Sequence, residues 1–375
     1  MKVINKQLKL ILVSTPIGSL GSGRGGGVEL TIISLIKGLI LLGHKIILVA
    51  PRGSKIPFES DNLEIRLVDG VDQPSWQHQK KKDPVLIPSN SVLPKLWEAV
   101  LELENQSDAV INFAYDWLPL WLTKTKLIKI FHLISMGAES IVMKEIISEI
   151  SQLFPYQLAF HTNIQAKDYS LNIDPIIIGN GFDKENYFFN DNKNGPLGWA
   201  GRIAPEKGLE DAVKIASDLG EKLLVWGLIE DKEYASKIEN NFTKDIIEWK
   251  GFLPTSKFQE QLGKCRAFIN TPKWNEAYGN VIVEAFACGV PVIAYDLGGP
   301  GELIEDGFNG FLVQPNDLKG MIKAIKSVST IKRRNCRDWF EKNASNKVFA
   351  ERVEDWLNKG LNENFSEDLE RELKS

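Results

Sequence analysis

The chain has 375 residues, 43% of them hydrophobic and 25% charged, and a net charge of −4 at pH 7. That is the composition of an ordinary globular protein, long enough for two domains, and it excludes a global electrostatic pull toward nucleic acid, although not a local basic patch. The three cysteines, Cys265, Cys288 and Cys336, are odd in number and lie outside any CxxC, which argues against a disulfide framework or a zinc site and favours a reducing, cytoplasmic setting.

The first residues, MKVINKQLKLILVS, lack an apolar run followed by a small-residue cleavage site, so they read as a lead-in to a buried strand and not as a signal peptide. KLILVS is that strand, a glycine-rich loop follows, and VELTIISLIKGLILLG has helical spacing. Lys37 interrupts the most apolar part of this helix, which is too short to span a bilayer. Gly43 stops the helix and KIILVAP supplies the next strand, completing a βαβ unit of the parallel type. The polar stretch from Asp69 to Pro94 reads as a long excursion loop. WLPLWL, Trp117 to Leu122, reads as a packed helical segment whose greasiness leaves peripheral membrane contact open. DAVINFAY, LIKIFHLI, QLAFHTN and PIIIGNG continue the strand series.

A second unit follows the linker-like NDNKNGP, Asn190 to Pro196. GPLGWAGR, KLLVWG, IIEWKG, RAFINT and VPVIAYD are its strands, and LEDAVKIASDLG, FQEQLGKC and VIVEAFACG its helices. The expected architecture is α/β: two Rossmann-like, doubly wound domains facing a central cleft, with boundaries at 1–185 and 186–340. Charged helices with Trp339 and Trp356 as anchors follow; residues 341–375 are expected to cross back to the first domain.

Gly21, Gly23 and Gly26 spell a GxGxxG, the dinucleotide fingerprint. The loop from Thr15 to Gly27 is too long for the tight turn that fingerprint makes, and the second strand ends LVAPRGS with no acidic residue for a ribose. Arg52 could meet a 2′-phosphate, so an NADP-dependent oxidoreductase stays as an alternative of another class. No GxxxxGK[ST] is present. The physical content of Gly25, Gly26 and Gly27 is close backbone approach at a helix N-terminus, where partial positive charge favours an anion; the plain alternative is a flexible loop with no ligand.

The second domain carries more. In GRIAPEKG, Arg202 and Lys207 leave a strand and flank the start of a helix, a pair suited to a diphosphate. In NEAYGNVIVEAFACG, seven residues separate Glu276 from Glu284. If Asn280 caps the helix, Glu284 lies near its first turn and can accept hydrogen bonds from two ribose hydroxyls, while Glu276 can do the same for a sugar. Taken singly, surface cations are solvated charges and a first-turn glutamate serves the helix dipole. Gly298 and Gly299 open another loop before a helix, and GNGFD, Asn180 to Asp183, marks the junction of the two units.

Together GRIAPEKG, the Glu276–Glu284 spacing, CGVPVIAYDLGGPGELIEDGFNGFLV and GNGFD resemble family four of the retaining glycosyltransferases, of GT-B fold, over most of Leu8 to Leu318. The resemblance implies that Arg202 and Lys207 bind the donor diphosphate, Glu276 the donor sugar and Glu284 the ribose. It implies that the amides of Gly279, Asn280 and Val281 face sugar and phosphate. His132 matches the family histidine that lies over the donor sugar, although from the residues alone a histidine after a buried strand reads as a satisfied core residue. Gly25, Gly26 and Gly27 would close over the diphosphate, with Gly23, Arg24 and Glu29 on the acceptor. Asn280 departs from the commoner apolar residue, and Pro300 to Glu302 are an unusual version of their loop.

The implied reaction is metal-independent transfer of a hexose from a nucleotide sugar, with UDP-glucose as the expected donor, by front-face attack. The absence of any Asp-x-Asp agrees with leaving-group stabilisation by Arg202, Lys207 and helix-end amides. STPIGSLGSGRGGGVELT further resembles pteridine glucosyltransferases that act on tetrahydrobiopterin. Lipid, polysaccharide and other small acceptors stay open, although a lipid would call for a basic, apolar rim and the clustering at Gln79 to Lys82 is limited. A non-catalytic sugar-nucleotide-binding protein is a further alternative. The expected partners are thus small molecules, with no nucleic acid and no transmembrane segment.

Overall fold

The computed structural model describes residues 6–76, 79–125, 129–138, 140–242 and 245–362. They form two compact units. One comprises the described residues through Ile178 together with those from Phe349 onward, and the other is Gly179–Val348.

The first unit is built on seven strands: β1 (Lys9–Val13), β2 (Lys45–Pro51), β3 (Leu63–Val68), β4 (Ala109–Asn112), β5 (Ile130–Ile134), β6 (Leu158–Phe160) and β7 (Ile176–Ile177). All pair in parallel, in the order β3-β2-β1-β4-β5-β6-β7. The central strands read as unbroken apolar runs because helices cover both faces of a parallel sheet. Leu10, Ile11, Leu12 and Val13 of β1 are wholly buried, and so is all of β5, including His132. The helix Gly27–Leu41 buries Ile32, Leu35, Ile36 and Leu39, and ends before Gly43, whose φ of +93° is the left-handed stop that glycine supplies at least cost.

The stretch Asp69 to Pro94 is more ordered than its composition suggested. Gln73 and Trp76 are buried, and Ser91 Oγ accepts the Leu93 amide at 3.1 Å to cap the helix Val92–Leu103, so the expected loop ends before Val92. WLPLWL is a short helix, Trp117–Thr123, that buries Pro119 and Leu120 and leaves Trp121 42% exposed. Among the described residues no helix is long and apolar enough to cross a membrane.

The second unit has six parallel strands: β8 (Leu197–Ala200), β9 (Leu223–Trp226), β10 (Ile247–Gly251), β11 (Ala267–Asn270), β12 (Val292–Tyr295) and β13 (Gly310–Val313). Their order is β10-β9-β8-β11-β12-β13. Both sheets therefore have a topological switch point, at β1/β4 and at β8/β11, where ligands of doubly wound folds bind beyond the strands' carboxyl ends. Residues 179–185, read from sequence as the end of the first domain, lie in the second unit. Phe182 donates its amide to the Ala344 carbonyl at 2.9 Å, and Asn180 Nδ2 donates to Asn280 Oδ1 at 2.9 Å.

The chain re-enters the first unit at Phe349, within the helix Asn346–Asn362. Phe349, Ala350, Val353, Trp356 and Leu357 join the core of Leu10, Leu12 and Phe131. The Trp356 ring meets Phe131 edge-on at 5.4 Å and its indole N–H donates to the Tyr156 carbonyl at 2.8 Å. The part of the expected C-terminal helices beyond residue 362 lies outside the described residues. Trp356→Ala removes the largest of these anchors and is expected to destabilise the first unit by about 3–5 kcal/mol, read as a lower urea midpoint. A loss of under about 1 kcal/mol would show that the returning helix is not part of that core.

Candidate active site

The second unit's switch point collects the charged residues singled out from sequence. Arg202 lies just beyond β8, and Lys207 ends the 3₁₀ turn Pro205–Lys207 that leads into the helix Leu209–Leu219. Gly208 sits between them and the helix with φ +63°, and a Cβ there would come within 2.0 Å of the Thr271 carbonyl at the end of β11. Only glycine lets these two adjacent strand exits approach so closely. Glu276 is on the β11 exit and is held from its other side by Gly298 and Gly299: the Gly299 amide donates to the Glu276 carbonyl at 2.7 Å. A Cβ on Gly299 would meet the Tyr278 carbonyl at 2.1 Å, so the opening of LGGPGE is a backbone clamp on the glutamate loop.

Each cation has an internal carboxylate. The Lys207 ammonium pairs with Glu276 Oε1 and lies 4.8 Å from the centre of the Trp274 ring, while the Trp274 indole N–H donates to the same oxygen at 2.9 Å. Burial works to raise the Glu276 carboxyl, but Lys207, Trp274 and Arg202 outweigh it and hold the group below the usual carboxylate range. Arg202 pairs with Glu206 at 2.8 Å and Glu230 at 2.6 Å. Beyond β9 and β10, Leu228, Ile229 and Phe252 are half exposed, an apolar face beside Arg202.

The helix Asn280–Ala287 differs from expectation at its start. Gly279, with φ +104°, holds the cap position, and Asn280 is the first helical residue, its side chain bonded to Asn180 instead of to a helix amide. The helix amides of Asn280 and Val281 keep the orientation expected of a helix N-terminus. Glu284 is accordingly in the second turn and not the first. It is 5% exposed, and the Tyr187 hydroxyl donates to its Oε1 at 2.9 Å. Burial pushes its carboxyl up to about 7, against the opposing Tyr187 bond.

The first-unit candidates are placed differently. The Glu29 carboxylate sits inside the glycine loop and accepts the amides of Gly21 at 2.7 Å, Gly23 at 3.2 Å and Gly25 at 2.7 Å. The anion that this loop attracts is the protein's own, so the amides of Gly23 and Gly25 and the carboxylate of Glu29 serve the loop's shape. The Gly26 amide turns to the Gly23 carbonyl at 3.2 Å, and Gly27 opens the helix. Arg24 pairs with Asp72 at 2.5 Å, and Arg52 with Asp69, where Nη2 donates at 2.9 Å. Both features invoked for NADP, the fingerprint amides and Arg52, are thus taken internally.

His132, the remaining first-unit candidate, lies inside the sheet. It is fully buried within β5, Asn112 Nδ2 lies 3.0 Å from its Nδ1, and Thr123 Oγ1 lies 2.7 Å from its Nε2. The Asn112 amide is oriented by the Ala114 N–H on its Oδ1, so it donates to Nδ1, and the proton sits on Nε2. Burial pushes the imidazole down to about 3, keeping it neutral. Both ring nitrogens therefore have a partner within the first unit. Sequence reasoning missed Trp274, Glu206 and Glu230. None of the three left a periodic signal, because Trp274 and Glu230 lie in bends after β11 and β9 and Glu206 lies in the 3₁₀ turn.

Residues 183–347 match the family model of glycosyl transferases group 1. The match lies wholly within the second unit, Gly179–Val348. An uncharacterized glycosyltransferase of Methanocaldococcus jannaschii is 35% identical over 161 residues, 41% of this chain and 44% of that protein. The 2-deoxystreptamine N-acetyl-D-glucosaminyltransferase of Niallia circulans is 29% identical over 141 residues, 35% of each chain. The chain thus spans less than half the length of these curated relatives. Among solved structures, Anabaena HepE in complex with UDP and glucose has a TM-score of 0.73 at 16% identity, covering 94% of this chain and 100% of its own. Sucrose-phosphate synthase from Thermosynechococcus elongatus has 0.74 at 15%, covering 94% and 99%. These likenesses show the GT-B type of fold, two parallel-sheet Rossmann-like domains.

Glu284 gives the domain a pH signature. Its carboxyl stands above the 4.5 of an unperturbed glutamate, so folded protein is penalised as pH rises from about 4.5 to about 7, and no further above that. Glu284→Gln keeps an oxygen for Tyr187 and removes the penalty. Its stability relative to the wild type is expected to grow across that window to an advantage on the order of 3 kcal/mol, read from urea unfolding at a series of pH values. Parallel profiles for the two proteins would contradict the buried, raised carboxyl.

Proposed function

We propose that the protein is a retaining, metal-independent hexosyltransferase that uses a nucleotide sugar, UDP-glucose, and passes its hexose to an acceptor hydroxyl. The observation that carries this reading is the Arg202, Lys207, Glu276 and Trp274 cluster at the β8/β11 switch point of the unit that matches glycosyl transferases group 1. Two cations held by carboxylates at partly exposed positions are cations that a diphosphate can take over, because phosphate oxygens carry more charge and fit the guanidinium fork. Released from Lys207, Glu276 becomes an acceptor for the sugar's hydroxyls, and Glu284 and the helix-end amides of Gly279, Asn280 and Val281 serve ribose and phosphate. The apolar face of Leu228, Ile229 and Phe252 suits the flat side of the base. HepE, of the same fold, binds UDP-glucose, which supports the choice of donor.

In the proposed step the acceptor oxygen attacks C1 from the side of the leaving group. The C1–O bond to the β-phosphate breaks, and the leaving oxygen takes the acceptor's proton. Charge grows on that oxygen, and Arg202 and Lys207 stabilise it without reorganising at the moment of reaction. The acceptor we propose is a pteridine of the tetrahydrobiopterin type, supported by the resemblance of STPIGSLGSGRGGGVELT. No specific observation favours the oxidoreductase reading, since Glu29 and Asp69 take its two supports.

A thermal-shift panel of UDP, UDP-glucose, UDP-N-acetylglucosamine, GDP-mannose, ADP-glucose and NADPH tests the donor. Stabilisation by UDP-glucose is expected, with the shift lost in Lys207→Ala and kcat reduced by about a hundredfold to a thousandfold in that variant. Stabilisation by NADPH alone would overturn the reading.

A further inference from the structure

The first unit has its own switch point, and an unusual set of polar atoms is buried there. Ser14 directly follows β1, and the pairing of Val13 with Asn112 sets it beside Phe113 at the end of β4. Asp116 lies four residues beyond β4, at the head of the helix Trp117–Thr123. The segment that leaves β3 runs back over both strand ends. Gln73 donates its backbone N–H to the Pro16 carbonyl at 2.8 Å, the Trp76 indole N–H donates to Asp116 Oδ2 at 3.3 Å, and Asp72 pairs with Arg24 of the glycine loop. Three strand exits therefore meet where a doubly wound sheet takes its ligand.

Ser14, Gln73 and Asp116 are 0%, 4% and 4% exposed, yet among the described residues Ser14 Oγ, both side-chain amide atoms of Gln73 and Asp116 Oδ1 have no hydrogen-bond partner. Each such atom costs about 1–3 kcal/mol, and native proteins pair nearly all of them. One could be met by a single ordered water. Four, on three residues at the exits of β1, β3 and β4, are the observation on which the inference rests. The donor-site residues lie in the other unit and use none of them.

The chemistry of the three side chains narrows what that ligand is. A carboxylate oxygen only accepts, so Asp116 Oδ1 calls for an N–H or O–H. The Gln73 amide offers a donor and an acceptor side by side and matches an edge that carries the same pair reversed. Trp76 is buried with Tyr115 and Trp117 packed on the same apolar cluster, so the surroundings are aromatic and suit a flat ring. Burial pushes the Asp116 carboxyl up to about 6, against the Trp76 bond and the amides of Trp117 and Leu118, as expected of a carboxylate waiting for a further donor.

We infer that Gln73 and Asp116 recognise the acceptor, a planar nitrogen heterocycle with adjacent N–H and C=O groups that carries the hydroxyl to be glycosylated. The inference rests on the hexosyltransferase reading for its purpose, and on the first unit's own residues for its site.

The probe is 6-hydroxymethylpterin, whose ring has such an edge and whose fluorescence reports binding to the full-length protein. Saturable binding is expected, weakened about tenfold or more by Asp116→Asn and by Gln73→Met, which removes both amide atoms at similar length. UDP affinity, read by thermal shift, is expected to be the same in both variants. Should Asp116→Asn fail to fold, Gln73→Met decides alone. Equal pterin affinity in wild type and variants, or no pterin binding by a protein that binds UDP, would overturn the inference. Pterin binding that depends on Asp116 in a protein that binds no nucleotide would support the heterocycle site and overturn the hexosyltransferase reading instead.

Discussion

Lys207 and Glu276 hold one another across the exits of two adjacent parallel strands, and the surrounding backbone is arranged to let them meet. Gly208 brings the Lys207 turn against the end of β11, and Gly298 and Gly299 press the Glu276 loop from the β12 side. Without side chains at these glycines the sheet's carboxyl end closes to a depth where a lysine, a glutamate and an indole share one oxygen. The pair is stable because burial is shallow enough for each charge to keep partial solvent contact, 19% for the lysine side chain and 13% for the glutamate. Deeper burial of a charge pair costs more in desolvation than the attraction returns.

The same device recurs with a different consequence. Glu29 within the glycine loop is also an internal anion at a site built for one, but it is 4% exposed and accepts three backbone amides. Three amides on a buried carboxylate make a fixture of the loop, whereas Arg202 and Lys207 meet their carboxylates through side chains alone, at partly exposed positions. The contrast assigns the two glycine-rich regions different work: in the second unit glycines bring charged side chains together, and in the first they let the chain wrap around its own glutamate.

How far the sequence was legible follows from how local each signal is. Strand and helix order came through because buried parallel strands are apolar runs and the helices between them keep their period. GRIAPEKG and the Glu276 loop were legible because their residues act from the strand exits on which they sit. Glu29 could be picked out as a candidate, but its partners lie four to eight residues back on a loop whose path no propensity dictates. The burial of His132 was legible in KIFHLI, where a histidine flanked by apolar residues has no solvent face, whereas its partners Asn112 and Thr123 come from other elements and left no local signal. Asn280 failed as a cap because Gly279 accepts the left-handed backbone there and the asparagine is drawn to Asn180, a hundred residues away in sequence. Gln73 and Asp116 were invisible for a related reason. The segment between β3 and the helix Val92–Leu103 looks like solvent-exposed loop by composition, and only its path over the strand ends shows that Gln73 is buried and that Trp76 meets Asp116.

The central claim is that the cations of the β8/β11 exits exchange their carboxylates for a diphosphate. A crystal structure of the protein with UDP-glucose tests it most directly. The account predicts the diphosphate on Arg202 and Lys207, with the Lys207 ammonium drawn from Glu276 to a β-phosphate oxygen and the Glu276 carboxylate turned to the sugar. A diphosphate bound by the amides of Gly23 to Gly27, with Glu29 displaced and the Lys207–Glu276 pair intact, would contradict it.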